Sequence, residues 1–75
     1  MADIDNIFKV HRLNARGIAA AESIAQAFTQ LLRDVEPLAA GSSGRELAIV
    51  RTKLQEACFF AKRAMAMNPE NQETP

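Results

Sequence analysis

The sequence has no tryptophan and no tyrosine, and only one cysteine and one histidine. A lone Cys58 excludes an internal disulfide, and one histidine beside it leaves no cluster at metal-ligand spacing. Neither a metal nor a cofactor is expected. No apolar run approaches the ~20 residues that a membrane-spanning helix needs. The opening Met1-Ala2-Asp3-Ile4-Asp5 is acidic where a secretory leader is basic. These absences predict a soluble, cytosolic chain with no membrane partner. There is no charge surplus either: Lys+Arg 9 balance Asp+Glu 9. A protein that coats DNA usually carries a basic excess, so DNA is not expected as a partner.

What is present favours helix, above all the abundant alanine, as at Ala19 to Ala21. The 75 residues leave room for one domain. At that length a lone core buries only about 60% of the unfolded surface. Small chains gain the rest from disulfides, metals or association, and here association remains.

Three helical stretches are separated by Gly, Pro and Ser. The first is predicted over 3–16, with Asp3 or Asp5 as cap and Ile4, Ile7, Phe8 and His11 on one face. Lys9, Arg12 and Arg16 fall on a second, basic face. Gly17 marks either a bend or a close contact. The second stretch is predicted over 18–36. Ile18, Ala21, Ala25, Phe28, Leu32 and Val35 form its apolar stripe, with a neighbouring stripe of Ala20, Ile24, Ala27 and Leu31. Pro37 disfavours helix at Glu36 and should end the element there. The connection through Ala39-Ala40-Gly41-Ser42-Ser43-Gly44 suits an antiparallel pair. Ser43-Gly44-Arg45-Glu46 reads as a capping box. The third helix is predicted over 44–67, with Leu47, Val50, Leu54, Ala57, Ala61 and Ala64 as its stripe. Asn68-Pro69 stops it, and 68–75 is expected to be a flexible tail.

Both long helices carry more apolar surface than a two-helix pair covers. Ile24, Leu31, Phe59 and Phe60 are in excess, and burying each phenylalanine is worth about 1.5–3 kcal/mol. This predicts a homo-oligomer. The alternative is a self-contained three-helix monomer.

Catalysis finds little support. Cys58 lies within the apolar pattern of the third helix and reads as a small packing residue. His11 has Asn14 and Ala15 at i+3 and i+4, so no carboxylate orients it. Gly41-Ser42-Ser43-Gly44 lacks the lysine of a phosphate loop. Residues 9–16 hold Lys9, Arg12, Arg16 and His11 and no acid. With Phe8 beside them, they suit a phosphate and a stacked base. A solvated helix face explains the same spacing, as it does for Arg51, Lys62 and Arg63.

The third helix also carries a family pattern: Arg45-Glu46, then Thr52-Lys53-Leu54, then Glu56-Ala57, then an aromatic at Phe60. This string resembles the helical-hairpin domain of phage anti-CBASS cyclic-nucleotide sponges, shared with certain anti-Thoeris sponges. The likeness extends over about residues 7–67 and is sharpest over 43–64. The chain departs at Phe59-Phe60, where relatives often carry Trp or Met.

The resemblance implies an all-α, kinked antiparallel helical hairpin with a short N-terminal helix, assembled as a homohexamer. It implies a non-enzymatic protein that sequesters cyclic oligonucleotide messengers such as cGAMP in the cytoplasm of an infected bacterium. Cyclic dinucleotides would lie between protomers near the first helices, meeting Phe8, His11, Arg12 and Arg16. Cyclic trinucleotides would lie near threefold axes, meeting Thr29, Arg45 and Lys53. For the last two, fold maintenance is the rival role: Arg45 bracing the turn, Lys53 pairing with Glu56 or Glu46. Two rival functions stand beside the sponge, a helical protein-protein interaction or regulatory module and a nucleotide-degrading enzyme.

Overall fold

The computed structural model describes residues 11–39, 41 and 44–74. Helix α1 spans Ala15–Val35 and helix α2 spans Gly44–Ala66. Single 3-10 turns follow each, Glu36–Ala39 and Pro69–Asn71. Among the described residues there is no strand, only an isolated antiparallel bridge between Leu13 and Gln72. The fold is all-α, a helical hairpin.

The helices run antiparallel: Glu36 pairs with Arg51, and Phe28 and Leu32 line one groove with Leu54 and Cys58. From α1, Ala21, Ile24, Ala25, Phe28, Leu32 and Val35 are half-buried. From α2, Leu47, Val50, Leu54, Cys58, Ala61 and Met65 are half-buried. The expected stripe on α2 had Ala57 and Ala64, which are exposed. A period of 3.6 residues counted from Leu54 brings Cys58 and Met65 onto the seam instead. Ile18, expected in the α1 stripe, is also exposed.

The turn is held by charge and by one glycine. Arg51 Nη2 donates to both carboxylate oxygens of Glu36, at 2.8 and 2.7 Å. Gly41 has φ 101°, a left-handed conformation that disfavours a Cβ. Ser43, the expected cap of α2, lies outside the described residues.

The N-terminal end differs from expectation. Of the predicted first helix, 3–10 lies outside the described residues, and 11–14 is not helical. Asn14 is the cause. It caps α1 in an extended conformation, and its side chain accepts a hydrogen bond from Gly17 N at 2.8 Å. Arg16 and Gly17 thus belong to the first turn of α1, which runs on without a break at the glycine.

The tail also departs from expectation. Residues 68–72 fold back across the start of α1. Asn71 Nδ2 donates to the carbonyl of Met65 at 3.0 Å, and Gln72 Nε2 to that of Ala66 at 2.8 Å. These side chains help satisfy carbonyls that the last turn of a helix leaves without intrahelical partners; that of Met65 also accepts from the backbone N–H of Asn68 at 3.2 Å. Asn71 is buried, at 6% exposure.

No hydrophobic side chain is fully buried among the described residues. The molecule measures 51 × 27 × 11 Å, and its two helices lie side by side in a single layer. Its radius of gyration is 16.1 Å, where a compact chain of this length has about 11 Å.

Candidate functional site

The open end of the hairpin, where the chain enters α1 and leaves α2, gathers the densest polar network. Asn14 is its hub. Its backbone N–H donates to the carbonyl of Asn71 at 3.0 Å. Its Nδ2 donates to the carbonyls of Glu70 and Gln72, at 2.9 and 3.1 Å. The backbone N–H of Glu73 reaches the carbonyl of Arg12 at 2.8 Å. Residues 12–14 and 70–73 therefore form a two-sided clasp. Gly17 makes its close approach possible, since a Cβ there would collide with the carbonyl oxygen of Asn71 and press on Leu13.

This clasp sets where the cationic residues stand. His11 is half-buried, and Arg12 and Arg16 are exposed. Arg12 lies in the extended entry and Arg16 on the first turn of α1, so they do not share the single helix face their spacing implied. Arg16 Nη2 lies 3.0 Å from Glu70 Oε2. Phe8, the expected neighbour of His11, lies outside the described residues.

His11 gains other neighbours. With Leu13, Ala21, Phe59, Lys62, Arg63, Met65 and Ala66 it lines an open groove of about 420 Å³. Leu13, Ala21, Met65 and Ala66 supply apolar surface, Phe59 an exposed ring, and Lys62 and Arg63 positive charge. An apolar surface with cations beside it suits a planar base carrying a phosphate. In the sequence Lys62 and Arg63 read equally as solvated helix surface. Their proximity to His11 is tertiary, and no local spacing announces it.

The second expected constellation is divided within one chain. Arg45 and Lys53 line one shallow groove along α2 with Ala48, Ile49 and Thr52. Thr29 lines the interhelical groove with Arg51, Gln55 and Lys62. Lys53 Nζ lies 3.9 Å from Glu56, an exposed i,i+3 pair worth little. Glu36, not Arg45, makes the bracing contact across the turn, through Arg51.

Among the described residues no group of His, Cys, Asp and Glu can hold a metal ion. No helix there is long and apolar enough to cross a membrane.

A protein-family model described as the Acb2/Tad1 hairpin domain matches residues 2–66. The chain belongs to this family. No curated protein and no solved structure matched. Acb2/Tad1 hairpins are the sponge-type binding domains of anti-CBASS and anti-Thoeris proteins and bind cyclic-nucleotide signals. The match ends on the last residue of α2. Both helices lie inside it, while the 70–73 side of the clasp lies beyond.

Proposed function

We propose that this Acb2/Tad1 hairpin protein sequesters cyclic oligonucleotide messengers without cleaving them, and so starves the CBASS effectors that those messengers activate. Cyclic dinucleotides such as cGAMP are the first ligand class and cyclic trinucleotides the second. The carrying observation is the family match, which spans both helices. The site of action is the cytoplasm of an infected bacterium.

The shape of the hairpin favours a ligand enclosed by several copies. Phe59 and Phe60 are each 62% exposed on a body one helix thick. A sponge with a nanomolar constant needs about 12 kcal/mol. A few exposed cations on an open surface do not supply that. Two copies facing each other double the charges, cover the phenylalanines, and strip water from the phosphates. A homohexamer, which the family resemblance implies, provides such interfaces.

In this reading His11 and Phe8 stack on a base, and Arg12 and Arg16 meet phosphates or base edges. Thr29, Arg45 and Lys53 from different copies converge on a trinucleotide, which explains why one chain leaves them apart. No bond is made or broken in the ligand.

Calorimetry against a panel of cyclic di- and trinucleotides tests the binding. His11→Ala should weaken dinucleotide affinity about fivefold or more, since base stacking is worth about 1–3 kcal/mol, and Arg12→Ala by a comparable factor, since a hydrogen bond to a charged group is worth about 1.5–3 kcal/mol. Heating the complex should then return the ligand intact. A linearised or hydrolysed product would replace the sponge with an enzyme, and a panel without heat of binding would remove it.

A further inference from the structure

Arg16 enters the proposed ligand surface already occupied. Its guanidinium lies 3.0 Å from Glu70, and both side chains are 66% exposed. Such a pair at a loose chain end would mean little. Here the partner is held in place, because the backbone on both sides of Glu70 is pinned. Its N–H donates to Asn68 Oδ1 at 3.1 Å, and its carbonyl accepts from Asn14 Nδ2 at 2.9 Å. The side chain takes no part in either bond. The clasp thus delivers a carboxylate to Arg16 without using it as an anchor.

The position of Arg16 adds to the argument. It is the second residue of α1, after the Asn14 cap and Ala15, and that first turn contains no acidic residue. Cations are disfavoured near a helix N-terminus, where the backbone dipole is positive. A positive side chain at the positive end of the helix dipole attracts anions, and the carboxylate of Glu70 meets it. It comes from beyond the part of the chain that the family hairpin covers.

We infer that Glu70 is an intramolecular competitor for Arg16: its carboxylate occupies the guanidinium until a ligand phosphate displaces it, and so sets the affinity and selectivity of the site. This rests on the reading of Arg16 as a phosphate contact. The exchange is one anion for another, and a bare phosphate therefore gains little at Arg16. A ligand that also stacks a base and engages a second protomer has further contacts to offset the displacement. The consequence is selectivity for an enclosed cyclic nucleotide over free phosphate and single-nucleotide anions.

The test uses Glu70→Gln, which keeps both backbone bonds and removes the charge. Cyclic dinucleotide affinity should rise about two- to fivefold for each Arg16 engaged, the range expected for releasing one exposed ion pair. The gain should shrink as salt is raised, because exposed charges are screened. Adenosine monophosphate should bind Glu70→Gln more tightly than wild type. Glu22→Gln, the same charge change on the exposed side of α1, should leave affinity unchanged, and Arg16→Ala should weaken it. If wild type binds the dinucleotide and Glu70→Gln binds it equally or less well, the competitor role is overturned and the sponge survives. Equal gains in Glu22→Gln and Glu70→Gln also overturn it, by reducing the effect to net charge. If wild type and every variant ignore the whole panel, both readings fall.

Discussion

Gly17 illustrates how one residue type can mislead when read locally. In a helix interior glycine is about 1 kcal/mol worse than alanine, so propensity alone recommends Gly17→Ala. The structure reverses that sign. The new Cβ would meet the backbone oxygen of Asn71, which is fixed by Asn14 N–H and has no rotamer to yield. Overpacking of this kind costs about 1–3 kcal/mol, enough to cancel the helix gain and exceed it. Gly17→Ala should therefore lower the melting temperature by several degrees at fixed protein concentration, read by circular dichroism at 222 nm. A melting temperature equal to or above wild type would mean that the clasp gives way and that Gly17 is free to change. Sequence alone leaves Gly17 as a bend or a close contact. Only residue 71, far along the chain, decides for the contact.

At the scale of elements, Asn14 joins two tasks that substitutions can separate. Its Oδ1 caps α1, while its Nδ2 holds the returning tail at two carbonyls. Asn14→Asp keeps an acceptor for the cap and loses both donors. Asn14→Ala loses every side-chain bond and keeps the backbone one to Asn71, at about 0.5–2 kcal/mol for the cap alone. Hydrogen exchange should show the amide of Gly17 still protected in Asn14→Asp, with the amides of Asn14 and Glu73 exchanging faster. All three should exchange faster in Asn14→Ala. Retained protection at Glu73 in Asn14→Asp would show that the backbone bonds hold the clasp unaided. The same residue explains what the sequence revealed and what it concealed. The two long helices are legible because their apolar period persists for many turns and Pro37, Gly41 and Asn68 punctuate it. The entry is not, because Ile4, Ile7, Phe8 and His11 carry a helical period toward Asn14, whose cap on Gly17 starts a new helix and whose amide holds carbonyls 56 and 58 residues away. The polar tail read as frayed for a related reason. Its side chains are spent on the last carbonyls of α2, and composition does not distinguish that from solvation. The candidate site divides along the same line. His11, Arg12 and Arg16 form a cluster in the sequence itself, whereas Phe59, Lys62 and Glu70 reach it only through the fold.

For the whole molecule the governing fact is thickness. A hairpin one helix deep has two faces and only one seam, so apolar residues off the seam meet water. Ile18, Leu31, Ile49, Phe59 and Phe60 do so, and the last two rings pack edge to face at 5.4 Å without being covered. Covering one such ring returns about 1.5–3 kcal/mol, comparable to a large share of what holds a small domain folded. Stability and assembly should then be one equilibrium, in which dilution acts as a denaturant. Wild type is expected to scatter light as a multiple of the chain mass, with a melting temperature that climbs as concentration rises. Phe60→Lys places a charge in the proposed contact and should shift the mass downward at equal concentration, with a lower and less concentration-dependent melt. In the proposed assembly a ligand enclosed between copies would add its binding energy to the same balance, so a cyclic dinucleotide should raise the wild-type melting temperature and recover part of the lost mass in Phe60→Lys. A chain that melts identically across a hundredfold dilution would be a folded monomer, and its exposed phenylalanines would then need a different partner to cover them.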